Sequence, residues 1–454
     1  MFLKQPLKNF IFKENNTILS ALKKIDKNHH NFLIIVNTQN KFSGIVTLID
    51  IRKALVKGSK LNDNLSSCIN KNPFYFMIDD LKNENNIKVL YNKKSYQIDP
   101  KLIPVLDRNQ KPCKIIDISK INLIKSKKKP KKILVIGGAG YIGSELTKLL
   151  INKKYQVHVY DKFIYQSKKF FEKSINNNKL QITMGDTNEI NKLYKIISES
   201  YAVIHLAEMV GDPLCDQQLS KTFEVNYLST SQIANICKLL NIKKFIYISS
   251  CSVYGENKGS GLLNEKSNIN PISNYAKLKL MAEKSILQNI TNEHRPYILR
   301  LGTVFGTSLR QRFDLVINLF SGLAATNKKI TVNGGDQWRP FVHVNDVCLA
   351  IIKILRSNKK NEHIIYNIVG ENIKIKDLGT MLKHKYKADV LFSKKSIDRR
   401  DYKASSKLAF SVLGFKSKYK VLKSISEIIK YINKKKITNI NEKKFINVLN
   451  WNKF

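Results

Sequence analysis

A short apolar run that ends abruptly in a cluster of glycines constrains the fold of this chain more than any other stretch. Residues 132–143 read Lys-Ile-Leu-Val-Ile-Gly-Gly-Ala-Gly-Tyr-Ile-Gly, and apolar residues at helical spacing follow at once. The pattern predicts a strand, a tight turn and a helix, because residues without a Cβ let the backbone turn sharply. The start of such a helix points free N–H groups and a partial positive charge at a bound anion. The spacing of Gly137, Gly140 and Gly143 is typical of sites that hold the diphosphate of a dinucleotide.

An acidic residue at the end of the next apolar run completes this pattern. Asp161 directly follows the run from Tyr155 to Tyr160, which is the next strand-like segment after Gly143. A carboxylate at this point accepts hydrogen bonds from both ribose hydroxyls of the adenosine half and repels a 2′-phosphate. The sequence therefore predicts NAD rather than NADP as the cofactor, and Lys162 beside the acid weakens this preference.

The charge of the chain suggests a different function at first. Its 454 residues carry a formal net charge of +44, as nucleic-acid-binding proteins often do. The excess is spread along the chain, since residues 1–132 hold 27 Lys and Arg against 10 Asp and Glu, and the remainder is basic as well. The densest run, residues 125–132, has six lysines and is interpreted as a linker between folded units. We therefore expect no specific nucleic-acid binding, only a general attraction for anionic substrates.

Cysteine usage and the lack of long apolar segments bear on the compartment. The six cysteines form no Cys-x-x-Cys pair and have no histidine at metal-ligand spacing, so we expect reduced thiols and no metal site. No apolar run approaches the ~18 residues that a membrane helix needs, and Pro6 with its charged neighbours argues against a signal peptide. These observations predict a cytoplasmic protein without a membrane span.

Residues 1–124 alternate short β-branched runs with polar helices and contain a degenerate internal repeat of about 60 residues. In the first copy, a helix at 17–27 precedes a strand at 32–36 and a second strand that runs into another helix. This copy resembles the cystathionine-β-synthase-type (CBS) domain through Gly44, Thr47, Asp50 and Arg52, which match its Gly-x-x-Thr-x-x-Asp-x-Arg signature. The resemblance implies a pair of small βαββα units that bind an adenosyl nucleotide between them, with Thr47 and Asp50 as contacts.

The second copy, at about residues 65–122, departs from that signature. Its central strand is predicted at 103–107, but the segment 111–117 has neither the glycine nor the threonine. One of the two nucleotide sites is therefore expected to be lost. Two interpretations stay open for the pair: a sensor of an adenosyl nucleotide, or a structural module for dimerisation or docking.

From residue 131 onward strands and helices alternate, which predicts an α/β fold with a parallel sheet covered on both faces. Strand five, at 244–248, delivers Ser250 to the carboxyl edge, where such sheets bind their ligands. Tyr275 and Lys279 lie at i and i+4 on the helix that follows, hence on one face. A tyrosine of pKa ~10 needs ~4 kcal/mol of preferential stabilisation to act as a base at neutral pH. A buried ammonium and a positively charged nicotinamide can supply it.

Five motifs then occur in the order of a known family. They are residues 137–143, Asp186, His205-Leu-Ala207, Ser250 with Val253-Tyr254-Gly255, and Tyr275 with Lys279. On these motifs the segment 131–434 resembles the extended short-chain dehydrogenase/reductase family, in particular its nucleotide-sugar epimerases and dehydratases. The resemblance implies a doubly wound (Rossmann) NAD domain, a smaller C-terminal substrate lobe mainly from about residue 300, and a homodimer formed through two long helices.

Domain limits and cofactor contacts follow from the same resemblance. We predict a CBS-type tandem at 1–124, a basic linker at 125–132, the NAD-binding domain with its lobe at 133–434 and a tail at 435–454. The residues expected to bind the cofactor are Gly137, Gly140, Tyr141, Ile142, Gly143, Asp161, Asp186, Thr187, Leu206, Ala207, Asn226, Tyr275 and Lys279.

The resemblance also implies the chemistry. Tyr275 is expected to take a proton from a sugar hydroxyl while hydride leaves the same carbon for NAD, with Lys279 lowering the pKa of Tyr275 and Ser250 holding the oxygen. Dehydratases of the family carry an Asp-Glu pair after this serine to eliminate water, whereas this chain has Cys251 and Ser252. Return of the hydride to the other face of the sugar, which is epimerisation, needs only the three catalytic residues and a retained NAD.

Arginines of the lobe are candidates for the substrate's diphosphate, because a guanidinium meets two phosphate oxygens at once. Arg339 lies in the family-like segment 334–346, and Arg400 resembles the arginine that closes over the diphosphate from the C-terminal lobe. Arg310 and Arg312 either face the substrate or belong to a solvated loop.

The sequence thus predicts an NAD-dependent epimerase of a nucleotide-diphosphate sugar that works in the synthesis of a surface glycan. A dehydratase or reductase of the same family is the first alternative. The second is a catalytically idle NAD-binding regulator in which the CBS-type pair does the sensing, and the retained catalytic residues argue against it. Glu208 departs from the small residue that the family has after His-Leu-Ala, which affects how the cofactor packs there.

Overall fold

The computed structural model describes most of the chain. The described residues are 2–3, 5–28, 30–56, 58–82, 102–117, 131–257, 261–358, 361–394 and 398–447. The chain divides into two compact units, Met1–Lys128 and Lys129–Phe454. Most of the predicted linker, residues 125–130, and the last residues of the predicted tail, 448–454, lie outside the described residues.

The first unit is built from two halves of the same design. In each half a central strand pairs in parallel with a short strand before it and antiparallel with the strand after it. The elements of the first half are β1 (Ile11–Lys13), α1 (Ile18–Asn28), β2 (Phe32–Val36), β3 (Phe42–Thr47) and α2 (Leu48–Val56). The strands of the second half are β4 (Phe76–Met77), β5 (Leu102–Leu106) and β6 (Pro112–Asp117).

The internal repeat exists, but its period is longer than expected. Leu102 pairs with Asp117 in the second half as Phe32 pairs with Thr47 in the first, so Phe32 corresponds to Leu102 and Thr47 to Asp117. This offset is longer than the predicted period of about 60 residues, which is therefore wrong. Both antiparallel pairs carry a register shift at the equivalent position. The two halves share one apolar cluster, which contains Phe10, Phe32, Ile34, Ile45, Leu102 and Ile115.

The second unit is organised around a parallel sheet. Its strands are β7 (Lys132–Ile136), β8 (Gln156–Asp161), β9 (Leu180–Met184), β10 (Ala202–His205), β11 (Lys244–Ser250), β12 (Leu262–Leu263), β13 (Tyr297–Leu301), β14 (Thr303–Phe305), β15 (Ile330–Asn333), β16 (Trp338–His343), β17 (Ile365–Ile368), β18 (Glu371–Lys374), β19 (Val390–Ser393) and β20 (Lys403–Ala404). Within the described residues the central sheet has seven strands in the order β17-β13-β11-β10-β7-β8-β9, all neighbours being parallel. This is the predicted doubly wound arrangement, and its strand order reverses beside β7, where such sheets bind ligands.

Helices cover both faces of the central sheet. The helices of the second unit, including those of the lobe, are α3 (Tyr141–Asn152), α4 (Lys168–Ile175), α5 (Ile190–Ser198), α6 (Asp212–Gln217), α7 (Leu219–Thr222), α8 (Ser229–Leu239), α9 (Asn274–Leu287), α10 (Val316–Ala325), α11 (Val344–Arg356), α12 (Ile375–Tyr386), α13 (Lys407–Leu413) and α14 (Val421–Lys434). Leu146 and Ile351 bury α3 and α11 in the cluster on one face, while Ile233 and Ile286 bury α8 and α9 in the cluster on the other. Between α7 and α8 the residues Phe223–Leu228 form a π-helix, a geometry that is frequent at functional sites.

The lobe beside the carboxyl edge is not one continuous segment. One of its small sheets has the strand order β14-β16-β18, and the other two pair β15 with β19 and β12 with β20. Between these strands the chain returns to the main fold, since α11 packs against α3 and β17 joins the central sheet. The described part of the tail also belongs to the lobe, because Ile440 is fully buried and Phe445 packs edge-on against Phe313.

Candidate active site

The glycine turn after β7 forms a cradle that only glycine permits. Gly137 has φ +82°, and an added Cβ would stand 2.5 Å from the backbone nitrogen of Ala207. Gly140 is the N-cap of α3, and in the part of the chain that the structure describes no side chain caps this helix. The N–H groups of its first turn are therefore open to an anion, as the sequence predicts. The geometry fits the diphosphate of a dinucleotide.

Asp161 ends β8 beside this turn. Its carboxylate accepts hydrogen bonds from the Ala139 N–H at 2.9 Å and the Phe163 N–H at 2.7 Å, so it also fixes the shape of the glycine turn. Burial raises the pKa of this carboxyl group. Lys162, its neighbour, is turned to Asp186, with its Nζ 3.0 Å from the carboxylate. A cavity of about 100 Å³ joins these groups to Thr187, Leu206 and Ala207 on the predicted adenosine side.

The segment after β10 is held by an asparagine of the π-helix. Both side-chain atoms of Asn226 bond to the backbone of Met209, each at 2.8 Å. This is the tie between helix and strand that the sequence suggests for Asn226. His205, at the end of β10, bonds through Nε2 to the Thr230 hydroxyl at 2.9 Å, and burial lowers its pKa to about 3. His205 is thus a neutral structural residue.

Ser250, Tyr275 and Lys279 meet at the carboxyl edge of the sheet. All three line a cavity of about 680 Å³ whose wall also includes Gly140 and Gly143. Ser250 is the last residue of β11, and Tyr275 and Lys279 lie on α9, which packs against that strand. A cavity of this size is typical of small-molecule sites. The sequence-predicted catalytic residues and the glycine turn therefore share one site.

Glu208 occupies this site in a way that the sequence analysis missed. Its carboxylate forms an ion pair with the Lys279 ammonium and accepts a hydrogen bond from the Tyr247 hydroxyl at 2.7 Å. Lys279 also donates to the Ile248 carbonyl. Burial raises the pKa of Glu208 and lowers that of Lys279, so each depends on the other for its charge. The sequence did contain a signal for this ion pair. An acid directly after His-Leu-Ala follows a strand that is predicted to be buried, and a buried acid needs a cation beside it.

The pairing of Glu208 with Lys279 affects the phenol of Tyr275. Burial, followed by the negative charge of Glu208, raises the pKa of the Tyr275 phenol well above its usual range. The expectation that Lys279 lowers this pKa stays a prediction, and the ion pair with Glu208 offsets the effect of the ammonium in the protein alone. Ser250 acts in the opposite direction and lowers the pKa of Tyr275.

A buried polar network supports the strand that carries Ser250. The Ser249 hydroxyl donates to Glu283, and Arg300 lies 2.7 Å from the same carboxylate. Arg300 also donates to the Tyr254 hydroxyl at 3.1 Å. The side chains of Glu283 and Arg300 are 1% and 2% exposed. The Ser-x-x-x-Tyr-Gly motif after β11 thus serves the core as well as the site.

The two predicted diphosphate contacts, Arg339 and Arg400, are both paired with acids. Asp398 lies 2.8 Å from Arg339 and 2.7 Å from Arg400, and Arg400 also lies 2.9 Å from Asp212. Burial acts to raise the pKa of Asp398, but the two guanidinium groups hold it well below its usual range. Two arginines are therefore balanced by two acids. Neither acid was identified as part of the site from the sequence.

Arg310 and Arg312 lie in the wall of the same cavity and are 3% and 8% exposed. The solvated-loop interpretation of these arginines is therefore wrong. Asn447 of the tail reaches the cavity too, and its backbone N–H donates to Asp314.

In the first unit, Thr47 and Asp50 bond to each other. The Thr47 hydroxyl and N–H donate to Asp50 at 2.6 and 2.9 Å, and the Asp50 N–H donates back to the hydroxyl at 3.2 Å. This reciprocal arrangement is a capping box at the start of α2. The two predicted nucleotide contacts therefore have a structural task in the protein alone.

The fold and this site define the class: an NAD-binding enzyme built on a doubly wound parallel sheet. Residues 133–369 match the model of the NAD dependent epimerase/dehydratase family, and residues 6–57 match that of the CBS domain. The chain belongs to the NAD-dependent epimerase/dehydratase family and carries a CBS domain at its N-terminus. The cofactor of this family is NAD.

The names of the relatives cover more than one reaction. A dTDP-D-glucose 4,6-dehydratase of Dictyostelium discoideum is 30% identical over 54% of this chain and 60% of its own length. A putative UDP-glucose 4-epimerase of Methanocaldococcus jannaschii is 30% identical over 58% of this chain and 85% of its own. Among solved structures, UDP-glucuronic acid 4-epimerase from Bacillus cereus, in complex with UDP-glucuronic acid and NAD, is 28% identical. It has a TM-score of 0.60 and covers 67% of this chain and 99% of its own.

Among the residues that the structure describes, no helix is long and apolar enough to cross a membrane. All six cysteines are unpaired.

Proposed function

We propose that the protein is an NAD-dependent epimerase of a nucleotide-diphosphate sugar, acting through a transient keto-sugar. The observation that carries the proposal is the meeting of Ser250, Tyr275 and Lys279 in one cavity with the glycine turn. The named relatives support the substrate class, since each acts on or binds a nucleotide-linked sugar by its name.

Each residue has a defined task in this proposal. Ser250 hydrogen-bonds the reacting sugar oxygen, and Tyr275 takes its proton and later returns it. Lys279, held by Ile248 and Glu208, keeps a cation within 5.8 Å of the Tyr275 ring centre. Bound NAD supplies the hydride acceptor and a positive charge that opposes the effect of burial and Glu208 on the pKa of Tyr275.

The residues after Ser250 favour epimerisation over loss of water. Cys251 is buried, burial raises the pKa of its thiol, and the thiol donates to the Arg300 carbonyl at 3.3 Å. Ser252 is buried as well, with its N–H on the Ser250 hydroxyl. Neither side chain is an acid that could protonate a leaving hydroxyl, which a dehydratase needs at this position.

The cofactor contacts proposed from the sequence keep their places in this assignment. Asp161 would bind the adenosine ribose, Asp186 and Thr187 the adenine side, and Gly140 with the first turn of α3 the diphosphate. Arg339 and Arg400 would bind the substrate's diphosphate only by exchanging their acids for phosphate oxygens.

Incubation with UDP-glucose, UDP-glucuronic acid and dTDP-glucose, followed by proton NMR, tests the proposal. We expect the signals of an epimer from one of them with no net change in NADH absorbance. Tyr275→Phe should lower turnover by at least ~100-fold while the protein keeps its bound NAD. A 4-keto-6-deoxy product would instead establish a dehydratase, and turnover that survives Tyr275→Phe would remove this residue from the chemistry.

We also propose a homodimer formed through α8 and α9. Leu228 and Leu239 are 43% and 67% exposed and lie three helical turns apart, so they share one side. Met281 on α9 is 38% exposed. Apolar side chains at such positions favour burial against a second copy.

Two further assignments remain proposals. The unpaired cysteines support a reducing compartment, the cytoplasm. An adenosyl nucleotide is proposed as the ligand of the CBS-type pair. Thr47 and Asp50 already bond to each other, so they would have to bind the nucleotide in addition to these bonds or in place of them.

A further inference from the structure

We propose that Arg310 binds the diphosphate group of the cofactor at the N-terminus of α3. Arg310 is not part of the glycine turn that was expected to hold this group. The inference rests on the proposed function for its ligands, NAD and a sugar nucleotide. It stands on three observations: the anchoring of the loop that carries Arg310, the lack of a paired acid for its guanidinium among the described residues, and the pairing of Arg339 and Arg400 with acids of their own.

The loop before Arg310 is bound to the first two turns of α3. The Ser308 hydroxyl donates to the Tyr141 carbonyl at 2.7 Å. The Leu309 N–H donates to the Glu145 carboxylate at 2.7 Å. Both acceptors belong to the start of the helix, so Arg310 follows directly after a residue that is bound there. Arg310 and the N-terminal residues of α3 line the same cavity.

Within the described part of the chain, the Arg310 guanidinium is buried without an acid paired to it. Its Nε and Nη2 atoms are buried and have no hydrogen-bond partner among the described residues. The neighbouring Arg312 is paired with Asp314 at 2.8 Å, so that acid is already used. Arg310 instead stacks over Tyr165, 4.1 Å from the ring centre. A cation–π contact compensates only part of the cost of burying a charge.

The charge of Arg310 persists at neutral pH. Burial, and after it the charge of Arg312, lowers its pKa to about 10, which still leaves the guanidinium protonated. The loop therefore contributes a positive charge to the cavity wall. An anion in the cavity would meet this fork of donors and the helix N-terminus together.

The other arginines of the cavity do not compete for this role. Arg339 and Arg400 are balanced by Asp212 and Asp398, as described above. Tyr165, on which Arg310 stacks, also lines the small cavity beside Asp161, on the adenosine side. Arg310 therefore contacts a residue that lines both the large cavity and the small cavity on the predicted adenosine side, which favours the diphosphate of NAD over that of the sugar nucleotide.

Calorimetric titration of the full-length protein, freed of bound nucleotide, tests this inference. The probes are NAD and UDP or dTDP, and the variants are Arg310→Gln, Arg310→Lys and Arg356→Gln. Arg356 is exposed in the last turn of α11, so its replacement removes the same charge from the general basic surface. We expect Arg310→Gln to weaken NAD binding by about 10- to 100-fold, Arg310→Lys to weaken it less, and Arg356→Gln to leave it unchanged.

Thermal unfolding of the nucleotide-free proteins separates a ligand contact from a structural one. The melting temperature of Arg310→Gln should not fall below that of the wild type, because the lost charge was paired with no acid of its own. If Arg310→Gln weakens the binding of UDP or dTDP but not of NAD, Arg310 binds a diphosphate, but that of the sugar nucleotide. This result would overturn the assignment to the cofactor.

Unchanged affinity for both ligands, or a lower melting temperature with unchanged affinity, would overturn the inference while the proposed function stands. If the wild type bound neither NAD nor a nucleoside diphosphate, both the proposed function and the inference would fail.

Discussion

The ammonium of Lys279 is paired with the carboxylate of Glu208 and is not free to act on Tyr275 alone. Both side chains are almost completely buried, at 2% and 4% exposure. A tyrosine base one turn from a lysine is usually described in terms of the lysine's charge. In this protein the neighbouring acid offsets that charge, and burial together with Glu208 raises the pKa of the Tyr275 phenol.

Glu208→Gln is expected to move the rise of kcat/KM to lower pH by about one unit. Activity that needs the phenolate rises as pH passes the pKa of Tyr275, and burial and Glu208 both raise that pKa. Removing the Glu208 charge leaves the Lys279 ammonium, still held by Ile248, to stabilise the phenolate. The titratable groups that act on Tyr275 or on its partner Lys279 are Glu208, Asp212, Cys215, Tyr247 and Glu283. A pH–rate profile of the variant, with Glu208→Asp as the control, measures the shift, and movement to higher pH would contradict it.

Gly137→Ala should abolish retention of NAD. The new methyl group would stand 2.5 Å from the Ala207 nitrogen, in a backbone conformation with φ +82°. Gly261→Ala is the matched control, because Gly261 has φ +64° and no atom of the described residues lies within 4 Å of an added Cβ. Both variants carry the backbone strain of about 1 kcal/mol, and only Gly137→Ala adds the collision. NAD released by acid from the purified proteins should fall at least tenfold for Gly137→Ala alone; equal loss in both would assign the effect to strain.

Arg300→Met should destabilise the protein by about 3–5 kcal/mol, because it leaves Glu283 charged and buried without its cation. The double variant Arg300→Met with Glu283→Leu should recover most of that loss, since the stranded charge is gone. Urea unfolding followed by circular dichroism measures both. A single variant that costs less than about 1 kcal/mol would show that water or another group replaces the arginine.

Leu239→Glu should convert the proposed homodimer into monomers. The leucine is 67% exposed on α8, and a carboxylate there cannot be buried against a second copy without a large desolvation cost. Leu391→Glu, at 47% exposure in the lobe, is the control for added charge. Light scattering after size exclusion gives the mass, and a Leu239→Glu protein that keeps the wild-type mass would place the interface elsewhere.

The sequence predicted the fold, and it predicted that Ser250, Tyr275 and Lys279 lie together, because each of these features is encoded locally. The glycine turn, the strand ending near Ser250 and the Tyr275–Lys279 spacing each lie within one or two elements, and the parallel sheet brings their ends to one edge. The ion pair of Glu208 with Lys279 was not predicted, because Lys279 belongs to a helix much later in the chain. A contact between distant elements leaves no periodic pattern in the sequence.

The same limit explains the other misses. Asp398 and Asp212 balance the predicted arginines through contacts between distant loops, and the paired state of Arg400 cannot be inferred from its neighbours in the chain. Burial of Arg310 depends on the anchoring of its loop to α3, a helix that lies far earlier in the sequence. In the first unit, the true period of the repeat became visible only from strand pairing.

The interleaving of the lobe with the central sheet has a consequence for how this protein could change its substrate. Strand β17 and helix α11 lie in sequence between parts of the lobe, yet both complete the NAD-binding half. A single crossover near residue 300 with a relative would therefore exchange part of the sheet along with the sugar-facing loops. Transfer of the lobe's loops from a relative, by recombination or by design, therefore needs at least one junction before residue 344 and another after residue 369. Point changes within the loops are the alternative.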